Sequence, residues 1–264
     1  MHTIDKTEDV KKQYSNDKNL SARIGLHAKY STNQEGFSNW LFKKYDFSGA
    51  ARILELGCGN GAQWEGHLDH IPPDCLLVLT DLSAGMVGRV WEKFGSQSRV
   101  LAQTADIERL PFPEECFDAV IANHMLYHVP NLPQAISEVR RVLKSSGTFY
   151  AATNGNGGMR AFLRSTFRQA DPAQNVFAEE LSFSLQNGSG VLRPYFSHIR
   201  RTDYEDSLRV TSTEDLMEWI RSTMAAKSLD EESFQRLAGY FEEIRKKEGA
   251  ILIPKETGLF ISGK

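Results

Sequence analysis

The feature that most constrains this chain is a short apolar run followed by three glycines at alternate positions. The run covers residues 53–56, contains Glu55, and leads into Gly57, Gly59 and Gly61. Glycine has no Cβ and adopts positive φ angles, so the backbone at these positions can lie against a ligand. We expect a buried strand, a glycine loop and then a helix whose N-terminal N–H groups point at the same ligand. This combination predicts a nucleotide-binding pocket.

Glu55 helps to decide which nucleotide the loop binds. Gly57, Gly59 and Ala62 also fit a relaxed dinucleotide-binding fingerprint. A carboxylate at the end of the strand repels a pyrophosphate but suits a ligand that carries a cationic amine. S-adenosylmethionine (SAM) is such a ligand and NAD is not, so Glu55 favours SAM.

Carboxylates also follow the second and third predicted strands. Asp81 ends the second strand, where a carboxylate accepts both ribose hydroxyls in SAM and NAD alike. Its alternative role is to cap the next helix, although Ser83 suits that position better. Asp106 lies just past a third predicted strand, residues 99–103. There it can accept the exocyclic amine of adenine while Ile107 packs on the ring.

Two histidines follow the fourth predicted strand, Phe117–Asn123. His124 and His128 are four residues apart, so their rings share a face if that segment is helical. Histidine exchanges protons near neutral pH, which makes both side chains candidates for a catalytic base. Alternatively, His124 contacts the cofactor through its backbone and His128 only hydrogen-bonds a loop. No carboxylate cluster stands nearby in sequence, so we predict no metal site.

Together these motifs resemble the class I SAM-dependent methyltransferases of the small-molecule type (methyltransferase domain 11/25-like). The matching stretches are, in order, ELGCGNG, TDLSAGM, ADIERLPF, FDAVIANHMLYHV and EVRRVLKSSGTFYAATNG. The resemblance covers about residues 50–155. The cofactor-binding residues that it implies are Tyr30, Glu55, Gly57, Cys58, Gly59, Asp81, Leu82, Met86, Asp106, Ile107 and Asn123. In this assignment Glu55 and the loop backbone hold the amino-acid end of SAM, and Asp81 takes the ribose. Leu82, Met86 and Ile107 enclose the adenine.

The order of elements predicts an α/β fold. Between residues 52 and 153 predicted strands alternate with helices, and right-handed crossovers then give a parallel sheet with helices on both faces. The resemblance implies a Rossmann-like sheet of seven strands, mostly parallel, with one strand antiparallel. Its last strands are expected near residues 198–205 and in a closing hairpin near 249–262.

The same pattern suggests how the chain is divided. We predict an N-terminal helical cap over residues 1–48 and a SAM-binding domain over 49–264. Within that domain, the irregular stretch 154–197 is interpreted as a substrate-side insertion or lid after strand 5. In the family such N-terminal helices cover the cofactor and shape the substrate cavity, so His27 and Tyr30 are candidates to face the site.

Composition limits the partners that this protein can have. The chain has 264 residues and a net charge of −3, with 31 basic and 34 acidic side chains, so it offers no basic surface for nucleic acid. The sequence shows no bilayer-spanning apolar run and no signal peptide. Three cysteines without C-x-x-C spacing indicate a reducing compartment. We expect a cytoplasmic enzyme with a small-molecule acceptor and no nucleic-acid or membrane partner; its oligomeric state stays open.

The leading functional hypothesis is an enzyme that moves a methyl group from SAM to an O, N or C nucleophile of a small molecule by in-line displacement. An NAD(P)-dependent oxidoreductase is the first alternative, but Glu55 and the Asp106 segment argue against it. A SAM-binding protein without turnover is the second alternative, because an intact binding loop indicates binding and does not establish catalysis.

Overall fold

The structure is a computed structural model that describes residues 25–171, 176–223, 226 and 229–264. The first half of the predicted N-terminal cap, residues 1–24, lies outside the described residues. Within the described parts of the chain, no helix is both long and apolar enough to cross a membrane.

A seven-stranded sheet forms the centre of the molecule, in the order β3-β2-β1-β4-β5-β9-β6. The strands are β1 (Arg52–Leu56), β2 (Leu76–Asp81), β3 (Val100–Thr104), β4 (Phe117–Asn123), β5 (Leu143–Asn154), β6 (His198–Tyr204) and β9 (Thr257–Gly263). Strands β1 to β5 pair in parallel, and β9 runs antiparallel between β5 and β6. The inner strands are nearly continuous apolar runs because helices cover both of their faces. The predicted mostly parallel sheet of seven strands is confirmed.

The direction of β9 determines which segments meet at the edge that carries the glycine loop. Asn154 at the end of β5 pairs with Thr257 at the start of β9, and Thr257 also pairs with Tyr204 at the end of β6. The segments after β5 and β6 and the turn before β9 therefore share the edge formed by the carboxyl ends of β1, β2 and β4. Ligands bind at this edge in open α/β sheets.

Helices cover the two faces of the sheet with separate cores. On one face, α1 (Phe37–Phe42) and α2 (Ala84–Phe94) pack on a core that includes Trp64. On the other face, α3 (Leu132–Val142) and α5 (Gly188–Leu192) pack on a core that includes Phe260. The α2 helix begins as the sequence predicts, with the Ser83 hydroxyl accepting from the Met86 N–H.

A third apolar cluster forms a cap beside the sheet. It joins the helical segment 25–30, α4 (Gly158–Ala170), α6 (Thr213–Arg221), α7 (Glu231–Glu248) and a two-stranded sheet of β7 (Ser207–Val210) and β8 (Ile251–Pro254). Phe167 of the predicted insertion 154–197 lies in this cap. Phe183 and Phe196 of the same insertion pack in the core of the sheet. The insertion is thus divided between two layers.

The predicted helix after the glycine loop is not formed. Two short 3-10 turns, Ala62–Trp64 and Leu68–His70, take its place. Gly66 lies between them with a φ of 76°, a value that interrupts a right-handed helix. The N–H groups of a regular helix therefore do not contribute to this loop, and its own backbone must supply the donors.

The predicted closing hairpin is wrong, because β8 pairs with β7 and β9 joins the main sheet. The helix α3 stops at Val142, and β5 follows it directly with Gly147 inside the strand. A Cβ at Gly147 would stand 2.7 Å from Leu143 Cδ1 and 3.0 Å from the Asp118 carbonyl oxygen, so glycine serves a close approach of the two strands.

Two glycines of α5 provide a test of how tightly this helix packs on the sheet. A Cβ at Gly188 would lie 2.4 Å from Phe260 Cε2, whereas a Cβ at Gly190 would meet nothing within 4 Å. We expect Gly188→Ala to lower the free energy of unfolding by about 1–3 kcal/mol through overpacking. Gly190→Ala should instead raise it by about 0.4–1 kcal/mol, because alanine restricts the unfolded chain. Urea denaturation of both variants checks this, and equal effects would contradict the packing described here.

Candidate functional site

The glycine loop adopts the left-handed backbone that its sequence predicts. Gly57, Gly59 and Gly61 have φ angles of 64°, 57° and 72°. A Cβ at Gly57 would stand 2.9 Å from Met125 Cβ, so this glycine also permits contact with the segment that follows β4. Cys58, inside the loop, is half-buried, and burial raises the pKa of its thiol. Its neutral thiol suits a small residue beside a ligand and not a nucleophile.

The Asp81 carboxylate is held against this loop. Gly59 N–H donates to Asp81 Oδ2 at 2.9 Å, and Ser83 N–H donates to Asp81 Oδ1 at 2.8 Å. Burial raises the pKa of Asp81, while these N–H donors act in the opposite direction. Each carboxylate oxygen keeps capacity for a second hydrogen bond. Hydroxyl donors from a ribose would therefore stabilise the charged form.

The residues proposed for adenine lie next to Asp81. Ala105 N–H donates to the Asp81 carbonyl at 3.1 Å, which brings the third carboxylate segment beside the end of β2. Asp106 is exposed, and its Oδ1 accepts from the Glu108 N–H at 2.9 Å. Ile107 is buried. The two other predicted adenine contacts are at the start of α2, where Leu82 is half-buried and Met86 is buried.

Glu55 lies beneath the loop in a buried polar network. Trp64 Nε1 donates to Glu55 Oε2 at 2.5 Å, and Asn123 Nδ2 lies 3.5 Å from Glu55 Oε1. The same Asn123 amide donates to Gln63 Oε1 at 3.0 Å and to the Tyr45 hydroxyl at 2.9 Å. Burial raises the pKa of Glu55 to about 7, against the effect of the Trp64 and Asn123 donors. A ligand cation at this place would favour the charged carboxylate.

Sequence reasoning missed three members of this network. Tyr45, Gln63 and Trp64 match no spacing motif, and the first lies in the predicted cap. Trp64 offers the one usable signal, since it falls nine residues after Glu55 in the same predicted strand–loop unit. A buried indole N–H needs an acceptor, and a buried carboxylate needs donors.

The two candidate histidines do not lie on one regular helix, so the condition under which their rings would share a face is not met. His124 has a φ of 53°, and a 3-10 turn covers Leu126–His128. The left-handed residue directs the chain away from a regular helix. His128 is half-buried with its ring 4.6 Å from the Tyr127 ring.

His124 sits in apolar surroundings at the end of β4. Its ring packs against Phe37 with centroids 5.0 Å apart. Burial, and secondly the charge of Lys255, lower the pKa of His124 to about 4. The imidazole is therefore neutral at neutral pH and a weak base.

Tyr30 is placed in the cap and not at the glycine loop. Its hydroxyl donates to Asp215 Oδ2 at 2.5 Å, and Lys29 forms an ion pair with the same carboxylate at 2.6 Å. Its ring belongs to the third apolar cluster. Among the residues that the structure describes, no group of three or more His, Cys, Asp and Glu side chains is arranged to hold a metal ion.

Several of the predicted residues lie together at the carboxyl edge of the sheet. Contacts join Gly59 to Asp81, Gly57 to Met125, and Asn123 to Glu55. A loop with glycine at alternate positions, the Asp81 carboxylate and the buried Glu55 beneath them have the chemistry to bind the three parts of SAM, which are its amino-acid portion, its ribose and its cationic amine.

Comparisons with known proteins identify a methyltransferase domain in this chain. Residues 54–151 match the family model described as a methyltransferase domain. A Malonyl-[acyl-carrier protein] O-methyltransferase of Geobacter sulfurreducens is 32% identical over 120 residues, which cover 46% of this chain and 44% of that protein. The chain covers less than half the length of the curated relatives that it matches first.

Solved structures share the fold at low sequence identity. Phosphoethanolamine N-methyltransferase 2 of Haemonchus contortus, in complex with SAM, superposes with a TM-score of 0.62 at 14% identity, covering 99% of this chain and 60% of that one. The [4+2]-cyclase SpnF superposes with a TM-score of 0.62 at 17% identity, covering 98% and 96%. At such identities the likeness concerns the fold alone.

The matched domain contains the glycine loop and the Glu55 and Asp81 carboxylates, and the solved structures share the fold around it. The domain match, the methyltransferase relatives and the shared fold together support a class I SAM-dependent methyltransferase.

Proposed function

We propose that this chain transfers the methyl group of SAM to a small-molecule acceptor. The observation that carries the proposal is the Asp81 carboxylate, which the Gly59 N–H holds against the glycine loop at 2.9 Å. The names of several curated relatives, which are O-methyltransferases, favour an oxygen nucleophile on the acceptor.

Each residue of the site has a distinct part in this proposal. Asp81 accepts the ribose hydroxyls, and Glu55 in its charged form balances the cationic amine. The backbone of Gly57 and Gly59 holds the amino-acid portion. When bound, SAM supplies an electrophilic methyl group, and the protein binds, orients and excludes water. Correct alignment of two reactants contributes on the order of 7–11 kcal/mol to lowering a barrier.

The state of His124 bears on the kind of nucleophile. With a pKa of about 4, His124 is a poor general base near neutral pH. The site therefore favours an acceptor whose nucleophile arrives already ionised or unprotonated. His128 stays a prediction as an alternative base.

Binding of S-adenosylhomocysteine (SAH) tests the cofactor assignment. We expect calorimetric titration of the wild-type protein to show SAH binding and no NAD binding. Asp81→Asn should weaken SAH binding by about 10–100-fold, because it removes charge-assisted hydrogen bonds worth roughly 1.5–3 kcal/mol. Asp74→Asn, at an exposed position away from the loop, is the matched control and should bind as wild type. NAD binding instead of SAH would favour the oxidoreductase alternative.

Turnover needs a separate measurement, because binding alone fits a non-catalytic protein. The protein is incubated with SAM and a mixture of small-molecule acceptors, and mass spectrometry searches for products that gain one methyl group. Methylated product that disappears in Asp81→Asn supports the proposal. SAH binding without any methylated product would favour the non-catalytic alternative, or a different reaction on the same fold.

A further inference from the structure

The turn between β8 and β9 places a lysine in the interior, at the same sheet edge as the glycine loop. Lys255 Nζ donates to Asp206 Oδ2 at 2.5 Å, and the exposed fractions of these two side chains are 10% and 0%. Ser31 Oγ and Asn33 N–H also donate to Asp206, at 2.8 Å and 3.0 Å. Asp206 thus fixes the ammonium in place. The other two N–H donors of the Lys255 ammonium make no hydrogen bond to the described residues.

Three buried nitrogen atoms of neighbouring aromatic side chains have no hydrogen-bond partner in the described part of the chain. They are His27 Nδ1, His124 Nδ1 and Trp219 Nε1. Buried polar atoms are seldom left unpaired, since each unpaired group costs about 1–3 kcal/mol. We refer to His27, His124, Trp219 and Lys255 as the Lys255 cluster.

Ring contacts and charge effects place the members of the cluster together. The rings of His27 and Trp219 meet edge-on with centroids 6.3 Å apart. The charge of Lys255 is the second cause, after burial, that lowers the pKa of His27 to about 3 and of His124 to about 4. Lys255 Nζ lies 5.5 Å from the centroid of the Tyr204 ring, and Phe37 packs against both Tyr204 and His124, so side-chain contacts also link the ammonium to this imidazole. Unpaired buried nitrogens close to a cation indicate a place where ligand atoms complete the bonding.

The cluster adjoins the proposed cofactor site through β4. His124 lies between Asn123, which approaches Glu55, and Met125, which contacts Gly57. A ligand held at His124 therefore lies next to the glycine loop, where an acceptor must be to receive a methyl group. The cluster takes its members from the cap, α6, β4 and the β8–β9 turn.

We propose that the Lys255 cluster binds a carboxylate carried by the acceptor, an inference that rests on the proposed function. The ammonium of Lys255 and the indole N–H of Trp219 can only donate hydrogen bonds, and a neutral imidazole adds one N–H donor. A carboxylate offers about four acceptor sites and a negative charge to match. A cationic acceptor is disfavoured, because the nearby Asp206 is already paired with Lys255.

Titration of the full chain saturated with SAH tests this inference. The probes are benzoate and malonate, each compared with its neutral amide, benzamide or malonamide, at constant ionic strength. We expect at least one carboxylate to bind at least tenfold more tightly than its amide. Lys255→Met should weaken that binding at least tenfold and leave SAH binding unchanged. The matched control is Lys247→Met, whose side chain is 83% exposed and should have no effect.

A second readout does not depend on the lysine variant. The indole N–H resonance of Trp219, assigned by its loss in Trp219→Phe, should shift when the carboxylate is added. The inference is overturned if neither carboxylate binds, if neither binds more tightly than its amide, or if binding to Lys255→Met is as tight as to the wild type. In each of these cases SAH binding to the wild-type protein would still support the proposed function. Failure of SAH to bind the wild-type protein would overturn both.

Discussion

Replacing Gly57 with alanine is expected to weaken SAH binding at least 100-fold. Alanine at a φ of 64° costs about 1–2 kcal/mol in the left-handed region. Its Cβ would also stand 2.9 Å from both Cβ and Cγ of Met125. Those atoms lie close to the backbone and cannot move aside cheaply, so the loop or the segment after β4 must shift. Because both line the proposed cofactor site, the displacement should cost binding as well as stability. Calorimetric titration with SAH measures the loss.

Gly49 provides a matched control for the backbone part of this effect. It has a φ of 71°, and a Cβ placed on it meets nothing within 4 Å. Gly49 precedes β1, at the opposite edge of the sheet from the glycine loop. We expect Gly49→Ala to lower the free energy of unfolding by about 1–2 kcal/mol and to leave SAH affinity unchanged. Wild-type SAH affinity in Gly57→Ala would show that the cofactor does not bind against this loop.

The second large effect concerns how the free energy of unfolding depends on pH. We expect Glu55→Gln to make this pH dependence weaker. The Glu55 carboxyl has a pKa of about 7 in the folded protein, against an ordinary value of 4.5. Between these values the folded state keeps a proton that the unfolded state has released. Stability therefore falls as pH rises through this window, because the charged carboxylate is buried. The difference between the two pKa values corresponds to a loss on the order of 3 kcal/mol in the free energy of unfolding above pH 7.

Glutamine cannot ionise, so it removes this contribution. We expect the wild-type protein to lose on the order of 3 kcal/mol more than Glu55→Gln between about pH 4.5 and pH 8, as measured by urea denaturation. Glu114→Gln, at an exposed position, should keep the wild-type dependence. If the free energy of unfolding of the wild-type protein and of Glu55→Gln changed with pH in the same way, Glu55 would be charged in the folded protein. Its carboxylate would then be stabilised more strongly than the Trp64 and Asn123 donors suggest.

Local patterns in the sequence were enough to predict the parallel strands β1 to β5 and the cofactor loop. The apolar runs of β1, β2 and β4 are typical of buried strands, and the glycine spacing favours the backbone that follows β1. The position of Asp81 after β2 places it beside that loop in any right-handed parallel sheet. The Ser83 cap is equally local, because its partner Met86 is three residues away.

Other features depended on contacts that no local pattern contains. The helix predicted after the loop is replaced by two 3-10 turns on either side of Gly66, and Trp64 in the first of them pairs with Glu55. The predicted closing hairpin failed because β8 and β9 each find a different neighbour, in separate sheets. For β8 and β9, pairing with distant segments outweighed the local preference for a hairpin.

By itself, the sequence determined the α/β class and the carboxylates at the sheet edge, because these follow from residue spacing along the alternating strands and helices, and the resemblance over about residues 50–155 indicated the family. Only the tertiary structure decided the environment of Lys255. Ser31 and Asp206 are 175 positions apart, yet their hydrogen bond positions Lys255 beside two imidazoles. Burial, charge pairing and the pKa values that follow arise when remote segments pack together, and periodicity along the chain does not specify which segments meet.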